Sequence, residues 1–279
     1  MSAILNAVTT SSGFTEGLRM VIAGVEKVGK TTFGASAPSP LLVPLEVGYS
    51  GVSIPKTPML THLDHVTQLV NEITIAAQSG QFPYKTILFD SATALERMIH
   101  EAILMLDPQY NPGNKKTVTM DSALGGYGKA YAYSNEKFGN FLTACDKLAV
   151  YGGINIVLTC HVFASKFMDP TAGEYDSWDL LLHSPKNQKT YGKREMITQW
   201  ADVIGFLYEP MYISKQEGSN LTRGVSQNKG RMMGLSRTPS YVAGNRFGVE
   251  GEVAIPKDDG WNHFANAIYQ ASGLDYFRR

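Results

Sequence analysis

The chain has 279 residues, 43% of them apolar, with 25 acidic and 25 basic side chains. That length suits one large α/β domain with a full-sized core, and the balanced charge announces no nucleic-acid partner by itself. No apolar run approaches the roughly 18 residues of a membrane span, and the first ten residues lack a basic region followed by an apolar core. Neither a membrane segment nor a signal peptide is therefore expected. Two cysteines, Cys145 and Cys160, lie in apolar periodic segments and are expected to be buried free thiols of a cytoplasmic protein.

In chain order, residues 18–23 form a short β-prone run that enters a glycine-containing loop, and residues 30–37 can open a helix that Pro38 and Pro40 stop. Residues 41–45 predict a second strand with Glu46 at its end. A helix over 64–78 follows, with Asp64 as N-cap and Gly80 past its end. Residues 86–90 predict a buried strand and residues 94–106 a helix. The polar stretch 107–128 has no clear period. Phe138, Phe141, Leu142, Cys145 and Leu148 then mark an amphipathic helix over 130–149. Residues 154–160 predict another buried strand, and 163–198 reads as irregular and polar. Strands over 203–207, 211–214 and 253–255 and a helix over 261–271 complete the chain. Strands alternating with helices predict a three-layer α/β fold with a mostly parallel central sheet, in a single domain whose core covers about 18–271.

The stretch Gly24-Val25-Glu26-Lys27-Val28-Gly29-Lys30-Thr31, followed by Thr32, has a glycine, four residues and then Gly-Lys-Thr, with a strand before it and a helix after it. This is the phosphate-binding loop of nucleoside triphosphatases. Its glycines let backbone amides face a phosphate, Lys30 supplies a point charge to the β- and γ-phosphates, and Thr31 can ligate Mg²⁺. Asp90, at the end of the strand 86–90, is the second carboxylate such a magnesium site requires. Ser91 follows it where many related enzymes carry a glutamate that activates water. Glu46, at the end of the predicted strand 41–45 that follows the loop helix, is the candidate base. No Asn-Lys-x-Asp motif points to guanine. The pair His62 and His65 lacks a third metal ligand in the sequence.

Asp90-Ser91 after an Ile-Leu-Phe strand, and a carboxylate on the strand after the loop helix, resemble RecA. His161 stands at the end of the strand 156–161, where the resemblance places a residue that senses the γ-phosphate. The sequence is more closely similar to the phage RecA-like ATPases of the fourth Sak class, linked to single-strand annealing. The residues that carry this likeness are the phosphate loop, Leu45-Glu46-Val47-Gly48, Asp90-Ser91, Gly126-Tyr127-Gly128-Lys129, Thr159-Cys160-His161 and Gly244-Asn245-Arg246-Phe247-Gly248. The resemblance implies an ATPase using ATP and Mg²⁺ in the host cytoplasm, assembled as a homo-oligomeric ring or filament. It also implies single-stranded DNA as partner and a place beside a phage single-strand DNA-binding protein. Arg246 is the arginine expected to reach a nucleotide between subunits, with Lys229 and Arg231 as competitors. Tyr127, Lys129, Lys186, Lys189, Tyr191, Lys193 and Arg194 combine rings and cations as single strands require. The competing readings are a nucleotide-gated interaction module in replication or packaging, and a small-molecule kinase.

Overall fold

The computed structural model describes residues 16–114, 118–171, 173–185, 191–215, 222–226 and 230–275. The central sheet is eight-stranded. Its strands are β1 (Arg19–Ala23), β2 (Pro40–Pro44), β3 (Thr86–Asp90), β4 (Asn155–Cys160), β7 (Val203–Tyr208), β10 (Arg231–Gly234), β11 (Gly244–Asn245) and β12 (Glu252–Ile255). The order across the sheet is β12-β10-β7-β1-β4-β3-β2, with β11 also on β7. From β7 to β2 all neighbours are parallel, whereas β10, β11 and β12 run antiparallel.

Strands β3 and β4 are buried at every position, as a sheet covered on both faces demands. Alternate residues feed two cores. Met20, Ile22, Leu88 and Val157 pack on one face beneath α1 (Lys30–Ala35) and α6 (Gly260–Ser272). There Phe33, Trp261 and Phe264 form an aromatic trio with ring centroids 5.5 to 6.0 Å apart. Val21, Ile87, Phe89 and Leu158 face the opposite core. It is covered by α2 (Leu63–Gln78), α3 (Ala92–Leu104), α4 (Lys129–Gly152) and α5 (Lys193–Trp200). The three layers match the predicted fold class.

Several boundaries differ from the sequence-based expectation. His62, not Asp64, is the cap residue of α2, and Asp64 sits in the first turn. Helix α3 starts two residues earlier than expected because the Ser91 hydroxyl accepts from the Ala94 amide at 3.2 Å. The stretch expected to be irregular, 163–198, contains a hairpin of β5 (Val162–Asp169) and β6 (Gly173–Leu180), then α5. A second hairpin, β8 (Met211–Lys215) with β9 (Thr222–Ser226), leads from β7 into β10. Both cysteines are free and buried, and burial pushes both thiols up, that of Cys160 to about 12.

Candidate functional site

Parallel strands bring their carboxyl ends to one edge, and there β1, β2, β3 and β4 deliver the loop 24–31, Glu46, Asp90 and His161. Residues 26, 27 and 29–32 of the loop and helix line a cavity of about 410 Å³ with Glu46, Asp90, His161 and residues 47, 48, 51 and 52. Gly24 is required by packing, because a Cβ there would lie 2.4 Å from the Leu207 carbonyl oxygen. Gly29 is required by its φ of 95°, which a side chain would strain.

Lys30 is buried, and its ammonium donates to the carbonyls of Gly24 at 2.7 Å and Val25 at 2.8 Å. Burial holds its pKa below the usual lysine value, against the opposing pull of Asp90, Cys160, Glu26 and Glu46. The Thr31 hydroxyl donates to Asp90 Oδ2 at 2.7 Å, and the Thr159 hydroxyl donates to the other oxygen, Oδ1. Because Ser91 caps α3, the Asp90 carboxylate is left to face the loop.

Glu46 accepts from three side chains. Ser91 Oγ lies 2.5 Å and His161 Nε2 2.8 Å from Oε1, and Arg97 Nη2 lies 2.6 Å from Oε2. Burial alone would raise its pKa. The hydrogen bonds from His161 and Ser91 and the charges of His161 and Arg97 outweigh burial and bring it down to about 2. His161 is anchored by its amide on Thr93 Oγ1 at 3.2 Å. Its Nδ1 is buried without a hydrogen-bond partner, 3.8 Å from Glu26 Oε1. Arg97 carries no signal in the sequence, and Ser91 and Thr159 stand in the resembling motifs without showing these contacts. A serine at a strand end was a legible helix cap, but nothing local connects Arg97 to Glu46.

The hard oxygens of Thr31 and Asp90, side by side, suit magnesium, which takes few protein ligands and completes its shell with phosphate and water. No cluster of three or more His, Cys, Asp or Glu side chains able to hold a metal exists among the described residues, and His62 and His65 only pack their rings edge to face.

Arg246 lies elsewhere. Its guanidinium bonds Asp202 Oδ1 at 3.0 Å and the Gln199 carbonyl at 2.7 Å, beside Arg19 at the start of β1, on the opposite edge of the sheet from its own phosphate loop. Arg231, in contrast, touches that loop, with Nη1 3.2 Å from the Gly29 carbonyl oxygen.

The two aromatic and basic segments adjoin. Tyr131 stacks on His183 at 3.9 Å between centroids, and Asn135 Nδ2 donates to the Tyr191 carbonyl at 2.9 Å. Tyr127 is fully exposed, Tyr191 is 66% exposed, and Lys129 is exposed. Lys193 is not. It is completely buried, 3.4 Å from Glu96 Oε1, and donates to Asn135 and to His100, whose pKa burial and the Lys193 charge push down to about 3. Arg194 is held by Asp179 at 2.6 Å and by Glu195 at 3.3 Å. Lys186, Lys189 and Lys229 lie outside the described residues.

A mostly parallel sheet, a Gly-Lys-Thr loop on its first strand and a carboxylate bonded to the loop threonine define a P-loop nucleoside triphosphatase fold. A family model described as an AAA domain matches residues 16–247, and the chain belongs to that family of AAA-type P-loop ATPases. No curated protein matches the chain. No helix among the described residues is long and apolar enough to cross a membrane.

Proposed function

We propose that this chain is a magnesium-dependent, RecA-like ATP hydrolase of the Sak type that binds single-stranded DNA and assists phage recombination or annealing. The observation that carries the hydrolytic half is Glu46, an ionised carboxylate in the same cavity as Lys30, Thr31 and Asp90. Lys30 would exchange its two carbonyl acceptors for phosphate oxygens. Thr31 and Asp90 would hold magnesium, which neutralises charge on the phosphates when bound. Glu46 would accept a hydrogen bond from the attacking water and orient it. The hydrogen bonds and charges that lower its pKa keep Glu46 ionised at neutral pH, the form in which a carboxylate polarises water and accepts its proton. His161 fixes the carboxylate through Nε2, and its Nδ1 is buried without a hydrogen-bond partner.

The DNA half rests on the adjoining rings and cations around Tyr127, Lys129 and Tyr191. It is also supported by α3, whose successive residues serve both places. Arg97 bonds Glu46, and Glu96 accepts from the His183 amide at 2.8 Å. An ordered strand at the second place would therefore bear on the first. ATP hydrolysis measured with and without single-stranded DNA tests the reading. Stimulated turnover is expected. Nucleotide binding without turnover in either condition would leave an interaction module instead, and turnover only with a small acceptor would leave a kinase.

A further inference from the structure

The phosphate loop has two flanks. Sheet order places β4, β3 and β2, and with them His161, Asp90 and Glu46, on one side of β1. On the other side lie β7 and then β10, whose first residue is Arg231. Because β10 runs antiparallel to β7, it begins at the edge where β7 ends, level with the loop. Its guanidinium reaches back over the loop. Nη1 donates to Gly29 O at 3.2 Å, and Nη2 donates to Pro256 O at 3.1 Å. A Cβ on Gly29 would stand 2.0 Å from Nη1, so the guanidinium fills the space above the last loop glycine.

This cation is half-buried, and its bonded acceptors are neutral carbonyls. Among the described residues no carboxylate comes within 4.0 Å of it. Glu209 and Asp258 act on it only as nearby charges, and burial outweighs them in lowering its pKa. A desolvated guanidinium with neutral partners is costly, and it gains most when an anion arrives to be gripped in a fork. Lys30 differs, since it points into the loop at Gly24 and Val25.

We propose that Arg231 binds, in cis, the phosphates at the nucleoside end of the nucleotide held by its own chain's loop. The proposal rests on the reading of that loop as a nucleotide site. Its place on the flank away from Glu46 and Asp90 gives it a contact shared by di- and triphosphate. Such a contact strengthens binding of substrate and transition state alike, so it lowers KM and leaves kcat unchanged. An arginine reaching the γ-phosphate of a neighbouring subunit would do the reverse.

The test uses the full chain with Mg²⁺ and fluorescent (N-methylanthraniloyl) ADP and ATP, in the wild type and in Arg231→Ala, Arg231→Gln, Arg231→Lys and Lys30→Ala. Arg231→Ala and Arg231→Gln should weaken both nucleotides by a similar factor, roughly 10- to 100-fold, the scale of a hydrogen bond to a charged group. Arg231→Lys should recover part of the loss, and kcat at saturating ATP should stay within about threefold of the wild type. Gln retains donors for the two carbonyls, so it carries the test if the Ala variant does not fold. Wild-type affinity in Arg231→Gln would overturn the proposal, as would a fall in kcat with binding intact. A gain in activity at subsaturating ATP on mixing Arg231→Ala with Lys30→Ala would overturn it too, because that shows action in trans. Nucleotide affinity and hydrolysis both unchanged in Lys30→Ala would sink the loop reading itself and this proposal with it, and that arm is separate from every Arg231 arm.

Discussion

Replacing Glu46 with glutamine keeps the side chain's shape and removes its charge. The carboxylate accepts from Ser91 and His161 through Oε1 and from Arg97 through Oε2. An amide can present its oxygen to Ser91 and His161 only by turning its NH₂ toward Arg97, which is 64% exposed and free to swing into water. The structural cost follows from the pKa. A fall from the ordinary 4.5 to about 2 sets an upper bound of about 3 kcal/mol on the preference for the charged form. Screening at the exposed Arg97 brings the expected loss of stability to about 1–2 kcal/mol, or several degrees in Tm. Loss of turnover should be far larger. A positioned proton acceptor contributes roughly 10²–10⁴ in rate, so Glu46→Gln should bind ATP and hydrolyse it at least about 100-fold more slowly. Equilibrium binding of a fluorescent ATP, phosphate release at saturating Mg·ATP and a thermal melt separate the effects. Turnover within a few-fold of the wild type, alongside the lowered melt, would show that the network around Glu46 is structural and that water is activated elsewhere.

Lys30→Ala removes the charge that bridges the phosphates and should abolish tight nucleotide binding or turnover, as read by the same binding titration together with phosphate release at saturating Mg·ATP. The depressed pKa of Glu46 makes its contribution to stability fully present above about pH 4.5 and lost as pH falls toward 2. The difference in melting temperature between wild type and Glu46→Gln should therefore narrow between pH 5 and pH 3. Binding of a labelled single-stranded oligonucleotide with ATP or a slow analogue present should weaken with salt. Tyr127→Ala or Tyr191→Ala should each cost about 1–3 kcal/mol with little change in the salt slope, whereas Lys129→Ala should reduce that slope by about 0.7. No binding at low salt with nucleotide present would remove DNA from the proposed function. Lys193→Met should act differently, lowering stability by roughly 3–5 kcal/mol through the broken buried pair with Glu96 and leaving the salt slope unchanged.

What was legible in the sequence was what the chain writes locally. The loop 24–31 with its strand and helix is one contiguous stretch, and Asp90 ends an all-apolar strand. Glu46 could be placed because parallel strands share a catalytic edge. The partners that tune Glu46 could not be placed, since Ser91, Arg97 and His161 meet it across 45, 51 and 115 residues of chain. The β5–β6 hairpin leaves no mark in the sequence for another reason. Most of its residues retain solvent contact on both faces, so no apolar alternation marks it.

The basic run near residue 190 shows how far a charge in the sequence can lie from a charge on the surface. Lys193 is spent inside the protein on Glu96, and Arg194 on Asp179. Tyr191, just before these two residues in sequence, remains exposed at 66%. The ion pairs thus anchor the base of α5 and fix where Tyr191 stands, while Asn135 holds its carbonyl from α4. Glu96 accepts from His183 and faces Lys193, and its neighbour Arg97 holds Glu46. Two side chains that look like DNA contacts in the sequence are therefore structural, Lys193 through Glu96 on the helix that Ser91 caps and Arg194 through Asp179 on β6. Glu96 and Arg97 are adjacent on α3, so the buried pair with Lys193 and the Glu46 network are held by one turn of the same helix, and Lys193→Met tests whether loss of the pair also lowers turnover.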